Sequence, residues 1–245
     1  MQGTAAALRA SAPRAAAKPS SHRWLQRAQR DPLAAAKSDR FVARSGHKLL
    51  ELDRRFADRT GRTLVPRSVD GDPVIDLGAA PGAWIQAVRT LSTRLSVIGV
   101  DLLPLAPEVA LLPGVEFVRG DALSGEVEQR VDSLLAGRMA SVVLSDMVRR
   151  WSATFLTRQL ANVSGNRAAD AASSVELCDM ALLIALRHLG PDGALVCKHY
   201  QSADAEAFER KLRDYFGDVA TLRLTASRSE SREAYWVCSD LREPE

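Results

Sequence analysis

A glycine-containing turn flanked by acidic residues is the first part of this chain whose residue types could do chemistry. The segment Asp76–Trp84 reads DLGAAPGAW and follows a short apolar run at residues 73–75. Gly78 and Gly82 allow main-chain N–H groups to approach a ligand closely, and Pro81 stiffens the turn between them. A strand, a glycine turn and a helix N-terminus in this order are typical of ligand binding by an α/β sheet.

A second acid suggests that the ligand is a nucleoside. Asp101 stands 25 positions after Asp76, at the end of a further apolar segment, residues 95–100. A carboxylate in that place can accept hydrogen bonds from two vicinal ribose hydroxyls. An ordinary strand-to-helix turn is the alternative interpretation, but it leaves the position of Asp101 unexplained.

The spacing of the turn favours S-adenosylmethionine over a nicotinamide cofactor. Dinucleotide sites usually read G-x-G-x-x-G, whereas this turn reads G-x-x-x-G with Asp76 two residues before its first glycine. A carboxylate there would repel a pyrophosphate and would suit the cationic amino-acid end of S-adenosylmethionine. Asp121 follows a third apolar segment, residues 115–118, and is a candidate acceptor for an adenine amino group. It is equally a candidate cap for a helix that begins near Ser124.

Four further polar residues are candidates for proton transfer. Asp146 and Lys198 end two apolar runs, Glu233 opens the last apolar run, and Lys48 lies in a basic segment near the start. Partial burial lowers the pKa of a lysine, and a nearby cation lowers it further, so we expect Lys198 to take a proton from a hydroxyl at neutral pH. The position of each residue alone is equally compatible with a structural ion pair.

The elements that must position these residues alternate between strand and helix. This alternation predicts an α/β fold with a seven-stranded, mostly parallel, doubly wound sheet and helices on both faces. Only a short polar loop precedes the last strand, so that strand is expected to be antiparallel. This is the layout of the Rossmann-like methyltransferases. The predicted strands are 73–77, 95–100, 115–118, 140–145, 193–198, 219–224 and 234–238; the predicted helices are 21–30, 38–58 with Ser38 as N-cap, 83–92, 124–136, 171–189 and 203–216.

Composition narrows the classes of protein to consider. The chain has 245 residues, 46% of them hydrophobic, and a net charge of +3, which fits one α/β domain with a full core. No apolar run reaches the roughly 18 residues of a membrane span. Cys178, Cys197 and Cys238 lie far apart in apolar segments. We therefore expect buried free thiols and no metal site.

The N-terminal residues have the composition of an organelle targeting signal. The first 30 residues contain six Arg or Lys and no Asp or Glu, as transit peptides do. We expect residues 1–20 to be a mitochondrial transit peptide or disordered, and residues 21–245 to form the catalytic domain. The alternatives are a disordered tail on a cytosolic protein and a basic arm that contacts RNA.

Six segments of the chain together resemble the FtsJ/RrmJ family of S-adenosylmethionine-dependent rRNA ribose 2′-O-methyltransferases. The resemblance covers about residues 21–241, and the motifs occur in family order. They are Arg44–Leu49, Asp76–Trp84, Val100–Pro104, Ser145–Met147, Val196–Lys198 and Ser227–Tyr235.

The resemblance implies roles for individual residues. It places a catalytic Lys-Asp-Lys-Glu tetrad on Lys48, Asp146, Lys198 and Glu233, with Lys198 as the general base. It places the cofactor contacts on Gly82, Trp84, Asp101, Asp121 and Asp146. The opening residues 20–25 are similar to a mitochondrial branch that modifies a uridine of large-subunit rRNA. The partner implied is ribosomal RNA, in the large mitochondrial subunit or its precursor, lying across the basic N-terminal helices.

The chain departs from the family pattern after Asp146. Residues 148–161 form an insertion that contains three arginines and two aromatic residues. Such a segment can hold RNA by charge and stacking; the alternatives are a surface loop or a retained intron. Two rival functions stay open from the sequence, namely an rRNA-binding assembly factor without activity and a nicotinamide oxidoreductase.

Overall fold

A computed structural model describes residues 40–67, 72–147, 167–226 and 232–242. The predicted transit peptide, the helix predicted at 21–30 and the insertion at 148–161 lie outside these residues. The division into a segment 1–20 and a domain 21–245 therefore stays a prediction.

The centre of the fold is a seven-stranded sheet in the order β3-β2-β1-β4-β5-β7-β6. Strands β1 to β5 are mutually parallel wherever they pair, and β7 is antiparallel to both β5 and β6. The predicted α/β fold with an antiparallel last strand is thereby confirmed. The strands are β1 Val74–Leu77, β2 Val97–Asp101, β3 Val115–Arg119, β4 Ala140–Ser145, β5 Leu189–Tyr200, β6 Phe216–Leu222 and β7 Glu233–Leu241.

Helices cover both faces of the sheet, and an apolar cluster lies between the sheet and the helices on each face. The first three helices pack with one cluster and the last three with the other, because strands buried on both faces need apolar cover on both. The helices are α1 Ser45–Thr60, α2 Ala83–Leu91, α3 Pro107–Ala110, α4 Gly125–Leu135, α5 Arg167–His188 and α6 Ala203–Tyr215.

The start of α1 differs from the prediction. Ser38 was expected to cap a helix that begins there, but residues 40–44 are not helical and Arg44 occupies the N-cap position. The reason is a tertiary contact, since a Cβ added to Gly46 would lie 2.6 Å from the ring of Phe41. The chain before α1 therefore turns back over its first turn, and Val42 N–H donates to Gln86 Oε1 at 2.7 Å.

The three cysteines lie in the core, as predicted. Cys178, Cys197 and Cys238 are free and buried, and the Cys178 thiol donates to the carbonyl of Lys198 at 3.1 Å. Within the described ranges, no helix has the length and apolar content needed to cross a bilayer. In that same part of the chain, His, Cys, Asp and Glu side chains form no group of three or more able to hold a metal ion.

Candidate active site

The strand order brings the four predicted catalytic residues to one edge of the sheet. Asp146 follows β4 directly, and Lys198 lies near the carboxyl end of the neighbouring β5. Glu233 opens β7, which runs antiparallel to β5, so the start of β7 lies beside the end of β5. Lys48 reaches this edge from the first turn of α1.

The four side chains form two close ion pairs. Lys198 Nζ lies 2.5 Å from Asp146 Oδ1 and 2.8 Å from the Asp146 carbonyl oxygen. Lys48 Nζ lies 2.6 Å from Glu233 Oε1. The side chains of both lysines are less than one-tenth exposed, at 5% for Lys198 and 9% for Lys48. Because charges so far removed from water need partners, each lysine depends on its carboxylate.

A tyrosine that the sequence analysis did not single out joins the two pairs. The hydroxyl of Tyr235 lies 3.1 Å from both Asp146 Oδ1 and Glu233 Oε1, and it accepts from Lys48 Nζ at 3.2 Å. Tyr235 is opposite Lys198 in the β5–β7 register and is fully buried. Its position two residues after Glu233, on the same face of a strand, was the available signal.

The electrostatics of the cluster keep both acids ionised. Burial would raise the pKa of Asp146, but the charges of Lys198 and Lys48 and two hydrogen bonds lower it overall. Burial likewise opposes ionisation of Glu233, and the two lysines again lower its pKa. Burial and the two carboxylates raise the pKa of the Tyr235 hydroxyl well above 10. Tyr235 therefore stays protonated and can donate to one of the acids.

The pKa of Lys198 is shifted in the opposite direction to the one expected. Burial alone would lower it, but the Asp146 and Glu233 carboxylates, with the hydrogen bond to Asp146, raise the pKa above 10.5. The expectation of a lowered pKa is wrong for the protein alone, because close carboxylates outweigh the loss of hydration. Lys198 is thus an ammonium group at neutral pH before substrate and cofactor are present.

The predicted cofactor residues surround the carboxyl ends of β1, β2 and β3. Asp76 lies within β1, only 1% exposed, and its Oδ2 is buried without a hydrogen-bond partner among the described residues. Burial, and then the charges of Asp146 and Asp101, raise its pKa well above 3.8. A buried carboxyl group without a donor is costly, so this atom is suited to a ligand that brings an N–H donor or a cation.

The turn after β1 is held by Asp101, at the end of β2. Asp101 Oδ2 accepts from the N–H of Ala80 at 2.9 Å, and Oδ1 accepts from the N–H of Leu103 at 2.8 Å. A carboxylate accepts hydrogen bonds, which is what the hydroxyls of a ribose require. Contact of Asp101 with the cofactor stays a prediction. Pro81 lies in this turn, after a cis peptide bond.

The glycines of the turn are required by protein packing. Gly78 and Gly82 have φ values of 77° and 115°. A Cβ on Gly78 would lie 2.8 Å from the side chain of Met147, and one on Gly82 would lie 2.5 Å from that of Val109. Close approach of a ligand to the main chain at Gly78 and Gly82 stays a prediction.

Trp84 and Asp121 are placed differently from each other. The indole N–H of Trp84 donates to the carbonyl of Ser45 at 2.9 Å, so this buried side chain joins α2 to α1. Asp121 is exposed and accepts from the N–H of Leu123 at 3.0 Å. The alternative of Asp121 as a helix cap is wrong, because Ser124 caps α4 by accepting from Val127 N–H. Cofactor contacts by Trp84 and Asp121 stay predictions.

Comparison with known proteins identifies the family of this chain. Residues 41–241 match the profile of the FtsJ-like methyltransferases. The chain belongs to the FtsJ-like methyltransferase family. Membership makes it a methyltransferase and removes the reason for considering a nicotinamide oxidoreductase.

Individual relatives agree with the family assignment, and a solved structure shares the fold. The ribosomal RNA large subunit methyltransferase E of Marinobacter nauticus is 34% identical over 225 residues, 91% of this chain and 97% of its own length. The protein of the same name from Acinetobacter baylyi is 34% identical over 220 residues, 89% of this chain and 90% of its own. A crystal structure described as a ribosomal RNA methyltransferase from Plasmodium falciparum matches with a TM-score of 0.65 and 21% identity, over 82% of this chain and 98% of its own.

Proposed function

We propose that the protein transfers a methyl group from S-adenosylmethionine to a ribose 2′-hydroxyl in ribosomal RNA. The observation that carries this proposal is the paired arrangement of Lys198 with Asp146 and of Lys48 with Glu233, bridged by Tyr235 at the carboxyl edge of the sheet. The relatives named as rRNA methyltransferases, each with about nine-tenths of this chain aligned, support the choice of substrate.

The acids of β1 and β2 fit the proposed cofactor. Asp76 offers a buried oxygen without a donor to the amino end, and Asp101 offers carboxylate oxygens to the ribose. Asp121 and the backbone after Gly78, Pro81 and Gly82 would complete the site. When bound, S-adenosylmethionine supplies the methyl group on its sulfonium sulfur.

The proposed chemistry needs a base for the 2′-hydroxyl, and Lys198 is the group placed to act as one. Lys198 Nζ donates one hydrogen bond to the carbonyl of Asp146 and one to its carboxylate. These two bonds fix the orientation of the amino group and therefore the direction of its third substituent, a hydrogen or, in the neutral amine, the lone pair. Lys198 must first lose a proton, because the neighbouring carboxylates keep it an ammonium in the free protein. A neutral Lys198 would then take the proton of the 2′-hydroxyl, and positioning of the two substrates would supply much of the acceleration. The methyl group would pass to the ribose oxygen as its bond to the cofactor sulfur breaks, and S-adenosylhomocysteine would leave.

Contact with RNA is proposed for the basic N-terminal part of the chain, including residues outside the described ranges. Phosphate contacts from Lys and Arg give affinity with little sequence information. On α1 two arginines are already bonded within the protein: Arg55 donates to the carbonyl of Arg223, and Arg59 pairs with Asp218. Arg54 is exposed on the same helix and is a better candidate.

The proposed location is the mitochondrial matrix, and the proposed target is a uridine of the large-subunit rRNA in its subunit or precursor. The acid-free, arginine-rich start of the chain supports the location. A fluorescent fusion should enter mitochondria, and deletion of residues 1–20 should prevent this while leaving activity of the purified protein unchanged. A truncated fusion that still enters would contradict the targeting role.

Mapping of ribose methylation tests the function itself. Mitochondrial rRNA from cells with the protein, without it, and with Lys198→Ala should be compared at every nucleotide. We expect one methylation, on a uridine, to disappear in the last two strains. An unchanged methylation pattern in the strain without the protein would contradict the enzymatic function. Normal methylation with Lys198→Ala would contradict the role of Lys198 and leave the function standing.

A further inference from the structure

The connection between β6 and β7 is bound at both ends by one face of α1. At the first end, Glu51 Oε1 accepts from Thr225 N–H at 2.9 Å, and Oε2 accepts from the Thr225 hydroxyl at 2.8 Å and from Ala226 N–H at 3.0 Å. Arg55, one turn further along α1, donates to the Arg223 carbonyl at 2.6 Å.

The second end is held by the active-site lysine of the same helix. Lys48 binds Glu233, where the chain enters β7. Lys48 and Glu51 are three residues apart and therefore neighbours on the helix surface. One turn of α1 thus carries Lys48, which binds the start of β7, and Glu51, which binds Thr225 and Ala226 at the other end of the connection.

Burial and negative charge make Glu51 a strong acceptor for the hydrogen bonds from Thr225 and Ala226. The residue is only 8% exposed. Burial opposes its ionisation, but hydrogen bonds from Thr225 and Ala226 and the charge of Arg55 lower its pKa overall. An ionised carboxylate that accepts several hydrogen bonds is among the stronger polar anchors in proteins. Glu51 has no role in the proposed proton transfer or methyl transfer.

We propose that Glu51 is a positioning residue of the methyl-transfer site, acting through Lys48 and Glu233. Thr225 and Ala226 follow shortly after β6, whose Leu222 lies opposite Tyr235 of β7. By fixing these two residues to α1, Glu51 keeps the first turn of the helix and the start of β7 in a single relative arrangement. Lys48 and Glu233 then face Asp146 and Lys198 in the geometry that orients the acceptor ribose. The inference rests on the proposed function and deepens it.

The direct test is a double-mutant cycle on RNA methylation by the full-length protein. Glu51→Gln keeps the size of the side chain and removes its charge. We expect a loss of about tenfold or more in kcat/KM for RNA, since small displacements in a reacting site are costly, with an unchanged Kd for S-adenosylmethionine. In a Glu233→Gln background the same change should have little further effect, because the two residues act through one arrangement.

Asp218→Asn is the matched control. It breaks another contact between α1 and β6, the ion pair with Arg59, and should lower stability without lowering kcat/KM of the folded protein. If Glu51→Gln behaves like this control, or costs the same factor in both backgrounds, Glu51 has a structural role only and the inference is overturned.

A second pair of variants covers the case in which Glu51→Gln does not fold. Thr225→Val removes the hydroxyl that binds Glu51, whereas Thr225→Ser keeps it. We expect Thr225→Val to reduce kcat/KM for RNA several-fold and Thr225→Ser to restore it; equal activities would overturn the inference. A wild-type protein without methyltransferase activity would instead overturn the proposed function, and this inference with it.

Discussion

At the scale of single residues, Tyr235 links the two ion pairs through one hydroxyl. Tyr235→Phe removes the hydroxyl and preserves the ring that packs 6.0 Å from Trp84 between centroids. Hydrogen bonds to charged groups contribute about 1.5–3 kcal/mol, so we expect kcat for RNA methylation to fall by about 10-fold to 100-fold. Steady-state kinetics measures this effect. An unchanged kcat would show that Lys48, Asp146 and Glu233 are held without the tyrosine.

Asp76 leads to a prediction about protons and cofactor binding. Its raised pKa means that the free protein holds a proton on this carboxyl at pH values where an exposed aspartate has lost it. A bound cationic amino group favours the carboxylate, so S-adenosylmethionine should expel that proton and its affinity should rise with pH.

Calorimetry in buffers of different ionisation enthalpy measures the proton release. The control is Asp76→Asn, which has similar size and no titrating group; it should bind more weakly and release no proton from this site. Equal proton release by the two proteins would contradict the assignment of Asp76 to the amino end.

Some of the residue-scale account was predictable from the sequence, and some of it was not. Asp101, Asp146 and Lys198 were identifiable because alternating strands and helices place strand ends at one edge. The pKa of Lys198 was not, because its direction depends on whether burial or a carboxylate at 2.5 Å prevails. The bridging role of Tyr235 depends on the register of β5 with β7, which no local pattern specifies.

At the scale of elements, α1 is the piece that must be held in place for Lys48 to reach the sheet. Its beginning is fixed by the bond from the Trp84 indole to the Ser45 carbonyl. Trp84→Phe would leave that carbonyl without this donor, and such a loss costs about 1–3 kcal/mol. We expect a lower free energy of unfolding in urea and a reduced kcat, because Lys48 lies in the same turn.

A variant beyond the other end of α1 is the control for Trp84→Phe, because it removes a contact far from Lys48. Arg62, just beyond α1, pairs with Asp240 at 3.2 Å on an exposed surface. Because surface pairs contribute about 1 kcal/mol or less, Arg62→Gln should change neither stability nor kcat by much. A Trp84→Phe protein as stable and active as the wild type would contradict the role assigned to the indole.

The order and type of the elements followed from the sequence more closely than their ends did. Seven strands were expected and seven are present in the described residues, with β7 antiparallel. The predicted start of α1 at residue 38 was wrong. The helix begins at Ser45 because the ring of Phe41 packs against Gly46, and a helix pattern in the sequence does not reveal such a contact. Strand β5 extends over Leu189–Tyr200, beyond the predicted 193–198.

At the scale of the whole molecule, the residues proposed to bind the cofactor and those proposed to transfer the proton lie along neighbouring parts of one sheet edge. Asp76 lies within β1, Asp101 ends β2 and Asp121 follows β3, whereas the tetrad lies where β4, β5 and β7 meet. Asp76 lies in β1 and Asp146 directly follows the neighbouring β4, and the charge of Asp146 helps to raise the pKa of Asp76. The two half-sites therefore adjoin at the point where the strand order reverses, which is where open α/β sheets bind their ligands.

The proposed reaction depends most on neutral Lys198 removing the proton of the acceptor hydroxyl. The most direct measurement is the single-turnover rate of methyl transfer to RNA between about pH 6 and pH 10, for the wild type, Lys198→Ala and Lys198→Arg. Because carboxylates raise the pKa of Lys198, the neutral fraction grows about tenfold per pH unit below that pKa. The wild-type rate should rise accordingly, up to the pKa that Lys198 has in the working complex.

Both variants should bind S-adenosylmethionine and lose about 10²-fold to 10⁴-fold in rate, the usual contribution of a general base. Arginine should not rescue activity, because its guanidinium stays protonated throughout this range. A wild-type rate independent of pH, or a Lys198→Arg protein as fast as the wild type, would contradict the claim and leave Lys198 only a positioning charge.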